Sequence, residues 1–195
     1  HTMNFRTTRA RLATVAVTGA VAGALAVSAA PASASAGNGY VSGGGSFYDD
    51  FGDEGTLSTS SHSDSNATCF WQIILYAEGV KESNGTQFDQ ADIDGRFGAN
   101  TKYATKQLQK AWGLTQDGVV GKNTFGAADD KWNASTKLGE LEFRGAGSTS
   151  ATKSKLRYHG SRFVFDVYRT SDGKYRIYHN GQWQYASYKN NSTCG

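Results

Sequence analysis

Proline is almost missing from this chain, with one residue, Pro31, among 195. Cysteine occurs twice, methionine once, and charged residues make up only 19%. The want of proline excludes a polyproline or collagen-like chain, and 12% aromatics exclude one too polar to build a core. Beyond residue 36 there is no apolar run long enough to cross a bilayer, so no integral membrane segment is expected in the mature chain. A general excess of positive charge is missing too. The formal net charge of +3 comes from Arg6, Arg9 and Arg11, and from Gly37 onward 17 basic side chains meet 17 acidic ones. A uniformly basic nucleic-acid binder is therefore not expected, although the pI is near 8.8.

What is present begins with three parts in the order that an export signal needs. Arg6, Arg9 and Arg11 come first, then an apolar run from Leu12 to Ala30, then small residues. Ala34-Ser35-Ala36 fits a small-x-small cleavage site, with Ala32-Ser33-Ala34 as the alternative. Residues 1–36 are expected to be a signal peptide, with His1 and Thr2 as a remnant ahead of Met3, and the mature protein is expected to be secreted. In an oxidising compartment an even cysteine count favours a disulfide over a metal site or redox motif. Cys69 and Cys194 would then be bonded, tying the start of the folded region to its last residue but one.

Charge divides the rest into three pieces. Residues 37–66 carry five acids and no Lys or Arg among Gly, Ser and isolated aromatics, which reads as an acidic, flexible arm. Residues 67–134 hold 7 basic and 8 acidic side chains with helical apolar spacing. Residues 135–195 hold 10 basic and 4 acidic, and alternate like strands. The change of period falls near Gly145 to Ser150. The expected class is α+β, a three-helix domain followed by a small antiparallel β meander.

The middle piece contains a repeat. Asp94-Gly95-Arg96-Phe97-Gly98-Ala99-Asn100-Thr101 returns 23 residues later as Asp117-Gly118-Val119-Val120-Gly121-Lys122-Asn123-Thr124. Each copy reads as a tight Asp-Gly turn, an apolar plug, and a second glycine that opens a helix. Asn66 to Gly79 and Thr101 to Trp112 read as helices, the second stopped by Gly113. With Leu108-Gln109 and Gly113-Leu114 between the copies and Phe125 after them, this order resembles the peptidoglycan-binding domain of the three-helix type. The resemblance covers roughly residues 67 to 132. The chain departs from the family pattern at Thr105, where a branched aliphatic is usual, and at Phe125, where Trp is commoner.

The resemblance implies a wall-binding function with peptidoglycan as partner. Asp94, Gly95, Gly98, Asp117, Gly118 and Gly121 are expected to shape the turns, and Phe97, Val120 and Leu114 to fill the core. Arg96, Asn100, Tyr103, Gln109 and Trp112 are the candidate wall contacts, since a guanidinium, amides and rings suit stem-peptide carboxylates and amides and sugar hydroxyls.

The last piece carries no pattern that identifies a family. Arg162 to Arg169, Lys174 to His179 and Gln182 to Tyr188 form a predicted three-stranded meander, with Asn180-Gly181 as a hairpin turn. A fourth strand could come from Leu141 to Arg144 or Leu156 to Tyr158. Basic residues interleave with aromatics there, so Arg157, Arg169, Arg176 and Trp183 are candidates for a second binding face, for teichoic acid or another anionic wall polymer, a glycan, or a protein partner. The arm from Asp49 to Asp64 could alternatively fold back on this surface.

Enzymatic readings fare less well. Only His62, His159 and His179 follow the leader, without an HExxH motif, so no metal or other cofactor is expected. Cys69 opens a helix, and Tyr158-His159-Gly160-Ser161 only faintly resembles the first half of an L,D-transpeptidase site, whose Ser-His-Gly-Cys sequence is absent; Glu140 and Glu142 as a glycosidase pair are alternate strand positions. The expectation is a secreted, non-enzymatic wall-binding protein, extracellular or wall-associated. A minimal peptidoglycan hydrolase and a wall-anchored inhibitor or partner-binding protein are the alternatives.

Overall fold

The computed structural model describes residues 36–131, 140–145, 154–189 and 191–195; the expected export signal and most of the expected boundary at 145–150 lie outside them. Three helices come first: α1 (Asn66–Glu78), α2 (Ala99–Ala111) and α3 (Lys122–Gly126). The strands β1 (Asp130–Lys131), β2 (Glu140–Phe143), β3 (Ser154–His159), β4 (Val164–Arg169), β5 (Tyr175–His179) and β6 (Gln182–Tyr185) follow and pair in chain order. The short β1 runs parallel to β2, and the other neighbours are antiparallel. The α+β class stands, and the meander is larger than three strands, because both candidates for a fourth strand enter it.

Helix α1 organises the molecule. Ser65 caps its start by accepting a hydrogen bond from Thr68 N at 3.1 Å, and Gly79, at φ +66°, ends it in a left-handed turn that only glycine adopts easily. Nearly every residue between is buried, which marks a helix covered on all sides. On one flank the Trp71 indole donates to Thr105 Oγ1 of α2 at 2.9 Å, which explains a hydroxyl in place of an aliphatic at that position. On the other, Glu78 receives the Tyr158 hydroxyl at 2.7 Å, and Gly160 lies so close to Ala77 that an added Cβ would meet its carbonyl oxygen at 2.4 Å.

The flexible arm expected at residues 37–66 does not hold. Val41, Phe47, Phe51 and Leu57 are fully buried. The segment bonds to the sheet through Val41 N to Ala186 O and Tyr175 N to Val41 O, and to the second turn through Leu57 and Val120. Two of its acids are buried as well. Asp50 accepts from Arg169 Nη1 and from the Tyr175 hydroxyl, both at 2.6 Å, while Glu54 accepts from Ser42 N at 2.6 Å and from the Tyr188 hydroxyl at 2.6 Å. Spaced aromatics supply the apolar burial, and each of these two acids finds a partner on or beside the sheet, so a segment dominated by glycine and serine still folds.

Cys69 and Cys194 form a disulfide across 125 residues, joining α1 to the chain's end. The buried residues of the N-terminal segment, helices and sheet make one hydrophobic cluster. The helical and β pieces therefore share a core.

Candidate functional site

Both copies of the repeat are built in the same way, each around a buried glutamine. On α1, Gln72 Nε2 faces Asp94 Oδ1, Arg96 O and Thr101 Oγ1 at 2.9, 3.1 and 3.1 Å, while its Oε1 accepts from Gly95 N at 2.7 Å. On α2, Gln109 Nε2 faces Asp117 Oδ1, Val119 O and Thr124 Oγ1 at 2.8, 2.9 and 3.0 Å, and its Oε1 accepts from Gly118 N at 2.9 Å. The aspartates fold each turn by also accepting from Arg96 N and Val119 N. Gly95 and Gly118 take φ +74° and +72°, the left-handed geometry the turn demands. Phe97 and Val120 plug the core beneath.

The sequence candidates differ in burial and in partners. Gln109 is a correction: it is 1% exposed and fully occupied in holding the second turn, so it is not a wall contact. Trp112 is a correction too, being 8% exposed and edge-on to Trp71 with ring centres 6.3 Å apart. Asn100 is half-buried, its amide donating to Glu82 and to Asp92. Hydrogen bonds from Thr86 and Asn100 hold the Glu82 carboxyl below its usual value, whereas burial, and then the nearby Glu82, raise that of Asp92. Arg96 and Tyr103 are exposed, as a contact residue must be.

Two features lie beyond sequence reasoning. Gln72 gives no local sign of its role because its turn lies 22 residues away, although Trp71-Gln72 on α1 parallels Leu108-Gln109 on α2. The other is an open cleft of about 430 Å³ beside the second turn, lined by Leu114, Thr115, Asp117, Val119, Lys122 and Asn123. Leu114, expected in the core, is only half-buried there.

On the sheet, Arg169 is a further correction. It is fully buried against Asp50 and donates to Gly45 O at 2.9 Å, so it belongs to no surface. Arg157 bonds Asp166 at 2.9 Å, and Lys155 reaches the same carboxylate at 3.0 Å. Burial pushes Asp166 up, but these two cations outweigh it and hold the carboxyl below its usual value. Arg176 donates to Trp183 O at 3.0 Å and lies 5.2 Å over the Tyr185 ring. Trp183 is 39% exposed.

Glu140 is buried, while Glu142 bonds His159 at 2.7 Å and Arg144 at 2.9 Å. Among the described residues, no group of three or more His, Cys, Asp or Glu side chains is placed to hold a metal ion. None of the helices, searched over the described residues, is long and apolar enough to cross a membrane.

Residues 72–127 match the model of a protein family described as a putative peptidoglycan binding domain. The match starts at Gln72 and takes in both turns and Gln109, so it supports peptidoglycan binding by the helical part; β2 to β6 fall outside it. Comparison with curated proteins and with solved structures gave no match.

Proposed function

We propose that this chain is a secreted, non-enzymatic cell-wall-binding protein that docks non-covalently to peptidoglycan through α1 to α3. One observation carries the reading: two glutamine-pinned turns lie inside the stretch that matches a peptidoglycan-binding family. The pins fix the turn backbones before any ligand arrives, so little ordering free energy is lost on binding. Arg96, exposed on the first turn, offers a fork of N–H donors to a stem-peptide carboxylate, and Tyr103 offers a ring to an apolar or sugar surface. Lys122 and Asn123 line the cleft at the second turn, where an ammonium and an amide suit the same carboxylates and amides.

The test is sedimentation of the full chain with purified sacculi, paired with dye release from labelled sacculi. Arg96→Ala and Lys122→Ala should each weaken sedimentation several-fold without changing circular dichroism. Undiminished binding by both folded variants would overturn the assignment of this surface. Dye release by the wild-type chain would overturn the non-enzymatic reading in favour of a hydrolase.

A further inference from the structure

The outer face of the sheet carries rings that the core does not use. Strand register sets Tyr168 opposite Arg176, Arg176 opposite Tyr185, and Tyr178 opposite Trp183, which places all five on one side of β4 to β6. Val167, Tyr175 and Ile177 alternate with them and are fully buried, so this side faces away from α1. Tyr178 is 55% exposed and Tyr185 41%. Trp183 lies 5.5 Å from Tyr178 and 6.3 Å from Tyr168, centre to centre, and Tyr185 meets Tyr40 at 5.6 Å. An aromatic patch of this extent is left in water at a cost that the fold does not explain.

The face is also grooved. A cavity of about 560 Å³ is lined by Arg157, Val164, Phe165, Asp166, Tyr178 and Trp183. Through Val164, Phe165 and Tyr178 it adjoins a second of about 550 Å³ that opens between the sheet and α1 and includes Tyr76, Gln90, Phe163 and His179. Phe163, just ahead of β4 and in phase with its inward residues, stacks on Tyr76 of α1 at 4.7 Å. Both volumes fall within the roughly 300 to 1,000 Å³ of small-ligand sites.

Charge decides the class of ligand. A polyanion site needs cations free to neutralise phosphates, and a single-strand nucleic-acid groove needs the same beside its stacking rings. On this face Arg157 and Lys155 share the one carboxylate of Asp166, Arg176 is held in place by the Trp183 carbonyl and the Tyr185 ring, and Lys174 pairs with Asp172 at 2.7 Å, so the cations are fixed in place and few against the rings. What remains is a floor of rings edged by fixed donors and acceptors. A pyranose fits that pattern: its C–H face lies on a ring, and its equatorial hydroxyls exchange hydrogen bonds with groups such as Asp166, Arg157 and Gln90.

We infer that this groove binds an uncharged pyranose chain, the glycan strand of the wall, by stacking on Trp183 and Tyr178. The choice of the wall as its source rests on the proposed docking function; the uncharged-sugar chemistry rests on the groove alone. The preference for anionic polymer read from the basic sequence gives way here to the rings, since Arg157, Lys155 and Lys174 each meet a carboxylate and Arg176 is held between the Trp183 carbonyl and the Tyr185 ring.

The experiment is calorimetry on the full chain with a soluble β-linked N-acetylglucosamine hexamer, at about 0.1 M and about 0.5 M salt. A glycerol-phosphate polymer and single-stranded DNA run alongside as probes of the other classes. The expected result is hexamer binding that changes less than about twofold with salt and falls about tenfold or more in Trp183→Ala and Tyr178→Ala, while Trp183→Phe and the exposed-surface control Lys110→Ala retain it. Retention by Trp183→Phe separates loss of a stacking ring from loss of fold. Wild-type affinity in the folded alanine variants, absence of hexamer binding, or tighter, salt-sensitive binding of either polyanion would overturn the inference. Hexamer binding that persists when sacculi are not sedimented would sustain the groove and overturn only its assignment to the wall.

Discussion

Replacing Arg169 with methionine should destabilise the protein by about 3 to 5 kcal/mol, the range for removing one partner of a buried ion pair. Arg169 and Asp50 are 0% and 1% exposed, and the guanidinium supplies one of two donors to the same carboxylate oxygen, Tyr175 the other. Methionine fills much of the volume but leaves Asp50 with the phenol alone. Burial already raises the Asp50 carboxyl, against the lowering by Tyr175 and Arg169, so loss of the cation pushes it higher still. The proton taken up then limits the loss, which should therefore be larger at pH 8 than at pH 5. Urea denaturation of the full chain at both pH values measures it, and a fall in Tm of about 6 to 20 °C should accompany it. Asp50→Asn combined with Arg169→Met should regain at least half of the loss, because the second change removes the stranded charge. A single-variant loss under about 1 kcal/mol, as for an exposed ion pair, would refute the claim that this bond seats the N-terminal segment.

Gln109→Leu should cost about 2 to 4 kcal/mol by stranding the Gly118 N–H and Val119 C=O, while Lys110→Ala on the exposed side of α2 should stay within about 0.5 kcal/mol; urea midpoints compare the two. Alkylation without reductant, followed by mass spectrometry, should find no free thiol at Cys69 or Cys194, and the Cys69→Ser, Cys194→Ser variant should lose about 2 to 5 kcal/mol. Burial raises Glu54 to about 7 and Asp129 to about 8, so the folded state holds these protons more tightly than the unfolded chain. Stability should then fall as pH rises through these two values; Glu54→Gln should flatten part of the decline, and a fold as stable at pH 8 as at pH 5 would contradict the burial of these acids.

How much of the molecule is legible in its sequence differs by region, for physical reasons. The helices, the Asp-Gly turns, the Asn180-Gly181 hairpin and the cysteine pair all leave local signals, because caps, left-handed turns and strand alternation act over a few residues. Asn180 and Gly181 indeed take φ +48° and +79°. The N-terminal segment leaves none. Gly and Ser around Phe47 and Phe51 have the composition of a linker, and the burial of this segment depends on partners such as Tyr175 and Arg169 more than a hundred residues away. Gln109 misleads for a related reason. A polar residue on a short amphipathic helix looks like surface until the turn that consumes its amide is folded against it, and nothing local in the sequence says that the turn comes back.

The shared core changes what a two-site wall contact could achieve. Two weak sites on a flexible tether gain an effective concentration set by the linker's length. Here α1 contributes Gln72 to the first turn and, one helical turn further on, Tyr76 to the sheet groove, so one helix supports both candidate surfaces. A ligand engaging both loses orientational freedom only once, which favours continuous wall polymer over separate small fragments. The same geometry argues against dividing the chain near residue 134. A helical piece ending there would lose the Cys194 bond and the Tyr158 hydroxyl on Glu78, and would open the sheet-facing flank of α1, including the buried Phe70 that packs on Tyr175, to water. Failure of that piece to bind sacculi would report unfolding rather than the location of the site, and only point variants of the whole chain distinguish the two.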